Sequence, residues 1–338
     1  MATGDLKRLQ ERHEAFWRGE GDTPLKRVTT HVPLKKLGSI PLSNGRRAEE
    51  GQYITPDLID PQQFFGTSNG QRQAVNGDFI RSAGPPHLCW TEAVLGCPIR
   101  VVTGGPWAES FDRDWTDIGR GCADERWLEK LDAFVDLLAA RANGAYPIVQ
   151  PLMRGPVDMM ASAVGHEPMC MALMEAPEAS EAFLDVCAEL FIQTANRRLA
   201  HTPRFEGGYI SSYGIWAPGT VVRTQLDNAT MLSPQVYRER VLRYDCKVME
   251  AFDFPLIHVH SGCLHIADEL LQIEALKAIQ VSLDYPGGPL AAEVLPIFER
   301  IIQKKPLIVT GPLTRAELDD LEALSPPGRL CLQVQIVA

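Results

Sequence analysis

Short runs of apolar residues alternate with longer segments in which apolar residues recur every three or four positions, from residue 124 onwards. The short runs indicate buried β-strands and the longer segments indicate amphipathic helices. The pattern predicts helices over residues 124–142, 177–200, 233–252, 265–276, 290–303 and 314–323. It places strands between them, near residues 148, 209, 257, 280, 308 and 333. The chain is therefore predicted to have an α/β fold.

The N-terminal third of the chain is less regular. Residues 5–18 predict an amphipathic helix within an N-terminal extension, residues 1–26, and strands follow at 27–34 and near residue 100. Residues 40–110 form a long early segment, rich in Pro, Gly, Asn and Gln in its first part, with little periodicity. So long a loop-like segment in a compact chain is usually functional. We expect a lid, a dimer arm or a substrate-recognition segment.

The predicted strands number eight, with helices between most of them. Eight such units in 338 residues indicate a single domain, a (β/α)8 TIM barrel spanning residues 1–338, more than an open doubly wound sheet. No Gly-x-Gly-x-x-Gly motif follows a predicted strand, and no phosphate-binding P-loop is present. These absences disfavour a dinucleotide-binding fold.

The densest cluster of metal-ligating residue types lies in residues 255–266. His258 and His260 are two apart on a predicted strand, so both imidazoles point to the same side, and Cys263 follows closely. One interpretation is a metal site, with zinc bound by His258, His260 and Cys263. Another is an acid–base pair. The structural alternative is that one histidine is a hydrogen-bonded core residue and the other lines a pocket.

The barrel prediction selects further candidates, because barrel active sites lie at the carboxyl ends of the strands. Asp284 ends a buried run beside the histidine strand, so His258, His260 and Asp284 are the catalytic candidates. Arg154 and Arg223 are expected to pair with a substrate carboxylate. The complete set of substrate-binding candidates comprises Trp90, Arg154, Tyr213, Trp216, Arg223, Gln225 and Asp227.

Three of these candidates also have structural interpretations. Arg154 can instead form a local ion pair with Asp158, four residues later. Asp227 can act as a turn or cap residue, and Trp216 can be a packed loop aromatic. The sequence leaves these alternatives open.

The composition of the chain disfavours some classes of binding partner. The formal net charge is −10, and no block of Lys or Arg stands out, so neither nucleic acid nor an anionic membrane is an expected partner. No apolar stretch approaches ~18 residues, and the N-terminus lacks an apolar signal region. The eight cysteines are scattered without Cys-x-x-Cys spacing. We therefore expect a cytoplasmic protein.

Short motifs in a fixed order add a resemblance that covers most of the chain. They are Ala-Pro-Glu at 176–178, Leu-Ser-Pro at 232–234, Ile-His-Val-His-Ser-Gly at 257–262, Ser-Leu-Asp at 282–284 and Gly-Pro-Leu at 311–313. In this order and spacing the chain resembles the uroporphyrinogen decarboxylase superfamily. That superfamily also contains methyltransferases that act on corrinoid proteins or thiols. The resemblance implies a TIM barrel, and homodimers are common in the family.

The resemblance is closer to the methyltransferase branch. In that branch the fifth strand carries His-x-Cys and a later cysteine completes a zinc site. Here His258 falls on the histidine and His260 on the cysteine, while Cys331 lies in a predicted strand. The haem-pathway decarboxylases use an Arg-Gln-Ala-Gly-Arg loop where residues 34–38 read Leu-Lys-Lys-Leu-Gly. The resemblance therefore implies zinc-assisted methyl transfer rather than haem-pathway decarboxylation.

Three functional hypotheses follow. The leading one is an enzyme that acts on a small methylated or carboxylated compound. It would transfer a methyl group, with zinc assistance, to a thiol or to a corrinoid carried by a partner protein. The second is a metal-free decarboxylase or other lyase of a small carboxylate, with a protonated histidine or an arginine stabilising the developing charge. The third is a non-catalytic homologue that binds a ligand or a corrinoid protein.

Overall fold

The structure, a computed structural model, describes residues 3–30, 40–65, 74–112, 114–119, 121–284 and 287–337. The end of the first predicted strand, residues 31–34, lies outside the described residues. So do the segment 34–38, compared above with the decarboxylase loop, and residues 66–73 of the long early segment. Within the described ranges, no helix is long and apolar enough to cross a membrane.

Six parallel strands form the central sheet. Their order across the sheet is Leu25–Thr29, Leu330–Ile336, Leu307–Leu313, Ala278–Ser282, Phe254–His260 and Val221–Gln225. Most of their residues are buried, as expected for parallel strands covered on both faces. Five of the six strands were predicted from the pattern. The strand Val221–Gln225 was not, because three of the five residues in its sequence, Val-Val-Arg-Thr-Gln, are polar.

Long helices pack around this sheet largely as predicted. The principal helices are Thr3–Arg18, Glu125–Ala142, Pro156–Val164, His166–Glu175, Pro177–His201, Leu242–Glu250, Ala291–Lys304 and Arg315–Glu322. Shorter helices are Pro61–Phe64, Trp90–Leu95, Pro234–Val236 and Ala267–Leu270. A π-helical turn, Tyr237–Val241, joins the helices Pro234–Val236 and Leu242–Glu250, and the three together form the helix predicted over 233–252. The helix Pro156–Val164 was not predicted. Eight of its nine residues are buried, so its sequence lacks the amphipathic pattern of a helix with one exposed face.

Four predicted elements differ in the structure. The strand Ile99–Val102 joins an antiparallel sheet with Tyr53–Ile54 and Gly105–Ala108, and Tyr209–Ile210 pairs antiparallel with Trp216–Ala217. The strand expected near residue 148 is reduced to one parallel bridge with residue 83, because prolines at 147 and 151 cannot donate to a strand ladder. The helix expected over 265–276 is a 3-10 turn followed by a single helical turn.

These differences bear on the predicted barrel. Hydrogen-bonded pairing among the described residues establishes a six-stranded parallel sheet within a mixed α/β fold. It does not establish a complete ring of eight strands. The described parts of the segment 40–110 contain short antiparallel strands and the buried helix Trp90–Leu95, so these parts are more ordered than the composition suggested.

The strand register places a row of polar residues on one face of the sheet. Each residue in the row lies opposite the next, and the row contains Arg27, Gln333, Thr310, Ser282 and His260. Towards the amino ends of the strands, the same face carries the apolar side chains of Leu25, Leu256, Ala278, Ile308 and Cys331. The opposite face packs into the large helix-covered core through Val259, Val281, Val309 and Leu332. We call the first face the polar face.

Candidate metal centre

Asp227, His258 and His260 bring three potential metal ligands together at one edge of the polar face. The two histidines alternate on the strand Phe254–His260, and Asp227 lies two residues beyond the neighbouring strand Val221–Gln225. One donor atom from each residue lies within 4.8 Å of the other two. Asp227 Oδ1 is 3.7 Å from His258 Nε2 and 3.5 Å from His260 Nε2. The three residues form a potential metal-binding site.

The spacing and environment of these atoms fit a metal ion. Nitrogen and oxygen ligands about 2.0–2.2 Å from a tetrahedral zinc ion are roughly 3.3–3.5 Å apart, close to the separations observed here. Asp227 Oδ1 is enclosed and has no hydrogen-bond partner in the described part of the chain. Its other oxygen, Oδ2, accepts a hydrogen bond from the Gln225 amide. An enclosed carboxylate oxygen without a donor is unfavourable, and a cation at this position would compensate it.

A hydrogen-bond chain determines which nitrogen of His258 faces Asp227. Arg223 Nε, which can only donate, lies 3.1 Å from the Tyr213 hydroxyl oxygen. Tyr213 therefore directs its own proton to Gln280 Oε1, and this oxygen also accepts from His258 Nδ1. Because Nδ1 carries the hydrogen, a neutral His258 presents the lone pair of Nε2 towards Asp227. The opposite end of the Gln280 amide donates to another strand, at Thr310 Oγ1 over 2.9 Å.

Asp284 orients the second histidine in the same way. Its Oδ1 lies 2.6 Å from His260 Nδ1, and its Oδ2 accepts a hydrogen bond from Ser261 Oγ at 3.3 Å. The Nε2 lone pair of a neutral His260 is therefore also directed at Asp227. Two nitrogen lone pairs and one carboxylate oxygen then converge, and a metal cation, a proton or a hydrogen-bond donor such as water between them would reduce their repulsion. Carboxylate and amide partners of this kind commonly orient metal-ligating histidines.

Asp158, on the helix Pro156–Val164, holds the backbone that carries Asp227. Its carboxylate accepts hydrogen bonds from the backbone N–H groups of Asp227, at 2.9 Å, and Asn228, at 2.8 Å. Burial and the nearby charge of Asp227 raise the pKa of Asp158 to about 6, although these hydrogen bonds act in the opposite direction. The carboxylate thus fixes the loop that follows the strand Val221–Gln225.

Arg154 does not form the ion pair with Asp158 that was one of its two alternatives. Its Nη1 lies 3.4 Å from Glu92 Oε1 and 3.1 Å from Ser162 Oγ. Its guanidinium carbon lies 5.2 Å from the centre of the Trp107 ring. A buried carboxylate therefore balances the charge of Arg154.

The other predicted substrate-binding residues fall into two groups. Tyr213, Arg223 and Gln225 lie beside the metal donors, and Arg223 Nη1 donates to Gln225 Oε1 at 3.0 Å. Trp90 and Trp216 are buried in the core, where their indole N–H groups donate to the carbonyls of residues 86 and 205. The structure does not bring these two tryptophans to the donors, because their rings are used in packing.

Cys263 is outside the donor group. Its thiol donates to the Asp227 carbonyl oxygen at 3.6 Å, and burial raises its pKa to about 12. The ligand set predicted from the sequence was His258, His260 and Cys263. The structure groups the two histidines with Asp227 as potential ligands, and Cys263 is not part of that group. Asp227 lies two residues past a buried strand, as Asp284 does, but the polar residues of its strand hid this position in the sequence. The supporting residue Gln280 was also missed, although a glutamine inside an apolar strand needs a polar partner.

The fold is similar to that of a methyltransferase from Methanosarcina mazei. The match covers 97% of this chain and 93% of that protein, with a TM-score of 0.60 and 16% sequence identity. At this level of identity the likeness concerns the fold alone, so the resemblance to the uroporphyrinogen decarboxylase superfamily stays a prediction. Neither a protein-family model nor a sequence among the curated proteins matches the chain.

Proposed function

We propose that this protein is a metal-dependent methyltransferase, in which Asp227, His258 and His260 bind zinc. The observation that carries the proposal is the enclosed Oδ1 of Asp227, which faces two histidine nitrogens and has no hydrogen-bond partner among the described residues. The fold likeness to a protein described as a methyltransferase supports the same conclusion at a coarser level. A thiol is the proposed methyl acceptor, and a corrinoid carried by a partner protein is the proposed methyl donor.

The donor set suits zinc. Two imidazoles and one carboxylate match the three protein ligands of many catalytic zinc sites, which leave a fourth position for substrate. A zinc ion held there would lower the pKa of a bound thiol and stabilise its thiolate.

The protein's own residues supply orientation and access. Gln280 and Asp284 fix the two imidazole rings, and Asp158 fixes the backbone of Asp227. The side chains of His260 and Asp227 are 37% and 32% exposed, so the donor group borders solvent although Asp227 Oδ1 itself is enclosed. In the proposed reaction the thiol proton would be released to solvent and the sulfur would form a bond to the methyl carbon. The bond between that carbon and the corrinoid metal would break, and its electron pair would stay on the departing corrinoid.

Metal analysis tests the ligand assignment. We expect about one zinc ion per chain in the purified protein. The variants Asp227→Ala, His258→Ala and His260→Ala should lose this zinc while circular dichroism shows that they remain folded. Cys263→Ala serves as the matched control and should keep its zinc, because Cys263 lies outside the donor group. A folded wild-type protein that takes up no zinc, or full zinc content in Asp227→Ala, would contradict the assignment.

Product analysis then tests the reaction. Zinc-loaded protein is incubated with thiols and a methylated corrinoid, and thioether formation is followed by mass spectrometry. Methyl transfer that is lost in His260→Ala supports the proposal. Carbon dioxide release that survives exhaustive chelation would instead support a metal-free decarboxylase. Tight ligand binding without conversion would support a non-catalytic binding protein.

A further inference from the structure

We propose that Arg223 and Arg27 form a binding subsite for an anionic group of the substrate, specifically a carboxylate, on the polar face. The inference deepens the proposed function, because it names a substrate class for the same face. It does not require the metal, since neither arginine belongs to the donor group.

Arg223 is a buried cation with neutral partners. Its side chain lies on the strand Val221–Gln225, and the residue is only 7% exposed. The hydrogen bonds of its guanidinium go to the Tyr213 hydroxyl and to Gln225 Oε1. Burial raises the pKa of Tyr213, so its hydroxyl stays protonated and cannot balance the charge. A buried guanidinium without a counter-ion is unfavourable, which makes it a strong anion-binding group.

The two carboxylates at the donor group already have other partners. Asp284 accepts a hydrogen bond from His260, and Asp227 contributes one oxygen to the metal donors and the other to the Gln225 amide. The Gln225 side chain thus separates Arg223 from Asp227. Among the described residues, no carboxylate forms an ion pair with Arg223.

Arg27 brings a second cation to the same network. It lies opposite Gln333 in the register of the two strands, and its Nη2 donates to Gln333 Oε1. Gln333 in turn donates to the Tyr213 carbonyl oxygen at 2.6 Å. The guanidinium carbon of Arg27 lies 5.3 Å from the centre of the Phe79 ring, and the described part of the chain offers it no ion pair. Arg223 therefore contacts the Tyr213 hydroxyl directly, and Arg27 is linked to the Tyr213 backbone through Gln333.

A carboxylate suits these two groups. Its two oxygens match the paired N–H donors of a guanidinium, and each bond is strengthened by opposite charges. Arg27 is an exposed residue, so an anion can enter from its side of the face. A small substrate can then place its carboxylate at the arginines and its reacting atom towards the metal donors. Arg154 is a weaker candidate, because Glu92 already balances its charge.

Isothermal titration calorimetry with succinate tests the subsite on the full chain, after chelation and at constant ionic strength. Succinate should bind the wild-type protein, and neutral succinamide should not. We expect Arg223→Gln and Arg27→Gln each to weaken succinate binding roughly tenfold or more. Arg300→Gln is the matched control, because it removes the same charge from an exposed arginine paired with Asp268.

Each result has a defined meaning. Three results would overturn the proposal. They are a loss of succinate binding confined to Arg154→Gln, no succinate binding by the wild type, and equal succinate binding in every variant. If Arg223→Gln does not fold, the exposed Arg27→Gln and the charge-conserving Arg223→Lys carry the test. Reloading the protein with zinc separates the two proposals. Succinate binding without zinc uptake would support the subsite and contradict the metal assignment. Zinc uptake without succinate binding would support the metal assignment and contradict the subsite.

Discussion

The carboxylate of Asp284 accepts a hydrogen bond from His260 Nδ1 across 2.6 Å, which directs the Nε2 of that ring towards a second carboxylate. The contact arises because two neighbouring parallel strands end at the same edge of the sheet. His260 is the last residue of one strand, and Asp284 lies two residues beyond the other. A carboxylate behind an imidazole fixes its tautomer and increases its basicity as a ligand.

Removing this support should weaken zinc binding without abolishing it. We expect Asp284→Ala to raise the Kd for zinc roughly 10- to 100-fold, because the ring loses its orientation and its tautomer preference. Asp284→Asn should have a smaller effect, since an amide oxygen can still accept from Nδ1. Competition with a chromophoric chelator measures the Kd. Asp268→Ala, an exposed carboxylate outside the donor group, is the control. An unchanged Kd in Asp284→Ala would refute this role.

Gln280 should have the corresponding effect on His258. The variant Gln280→Leu removes the acceptor for Nδ1, so His258 becomes free to adopt the tautomer that protonates Nε2. We expect the Kd for zinc to rise roughly tenfold. Two-dimensional nitrogen–proton NMR of the histidine rings reports the tautomer directly.

The control for this experiment lies at the other end of the same amide. Thr310→Val removes the acceptor of the Gln280 N–H group and leaves Oε1 in place, so the tautomer of His258 should be retained. If His258 keeps its Nδ1 hydrogen in Gln280→Leu, then the hydrogen-bond chain from Arg223 does not determine the tautomer.

The histidine strand was predictable because its information is local. Leu256 and Ile257 indicate a buried strand, and the spacing of His258 and His260 places both rings on one face. Asp227 was not recognised as a member of the donor group, because the strand before it contains Arg223 and two further polar residues and so reads as a loop.

The missing information is tertiary. The Gln150 side chain, from a distant segment, satisfies the backbone of Arg223 with bonds of 2.6 and 2.9 Å. Tyr213 and Gln225 satisfy its guanidinium. Hydrophobic periodicity cannot reveal a strand whose polar side chains find partners elsewhere in the chain. The same limit applies to Cys263. The direction of its side chain depends on the 3-10 turn Ser261–Ile266, which its spacing from the histidines does not reveal.

Asp245 should make stability depend on pH. Its Oδ2 accepts from the Tyr237 hydroxyl at 2.9 Å, and its buried Oδ1 has no partner in the described part of the chain. Burial raises its pKa from 3.8 to about 7. As the pH rises, the unfolded chain loses this proton first, so the folded state binds more protons between these two values. The contribution of Asp245 to the free energy of unfolding therefore falls through this window and levels off above about pH 7.

The variant Asp245→Asn has no proton to lose at this position. We expect its free energy of unfolding, relative to wild type, to increase by about 1 kcal/mol between pH 6 and pH 8. Urea unfolding followed by circular dichroism measures the difference at each pH. Asp185→Asn changes the charge of a carboxylate that is not fully buried and should not reproduce the trend. Parallel pH curves for wild type and Asp245→Asn would show that Asp245 is already ionised at pH 6.

The variant Gly155→Ala tests whether the loop that contains Gly155 must lie close to the strand Val221–Gln225, which leads to Asp227. Its N–H donates to the Gln225 carbonyl oxygen at 3.0 Å, and an added Cβ would lie 2.5 Å from that oxygen and 2.6 Å from Thr224 Oγ1. The φ angle of Gly155 is −76°, so an alanine there meets a steric clash rather than backbone strain. We expect Gly155→Ala to lower the free energy of unfolding by about 1–3 kcal/mol.

The displacement caused by Gly155→Ala should also weaken zinc binding, because the strand that moves carries Asp227 two residues beyond its end. Urea unfolding and chelator competition measure the two effects. Gly104→Ala is the matched control, since a Cβ there meets no atom within 4 Å. If both variants bind zinc like the wild type while Gly155→Ala alone is destabilised, the close approach serves packing and not the position of the ligand. Weaker zinc binding in Gly155→Ala alone would show that this contact holds Asp227 in place.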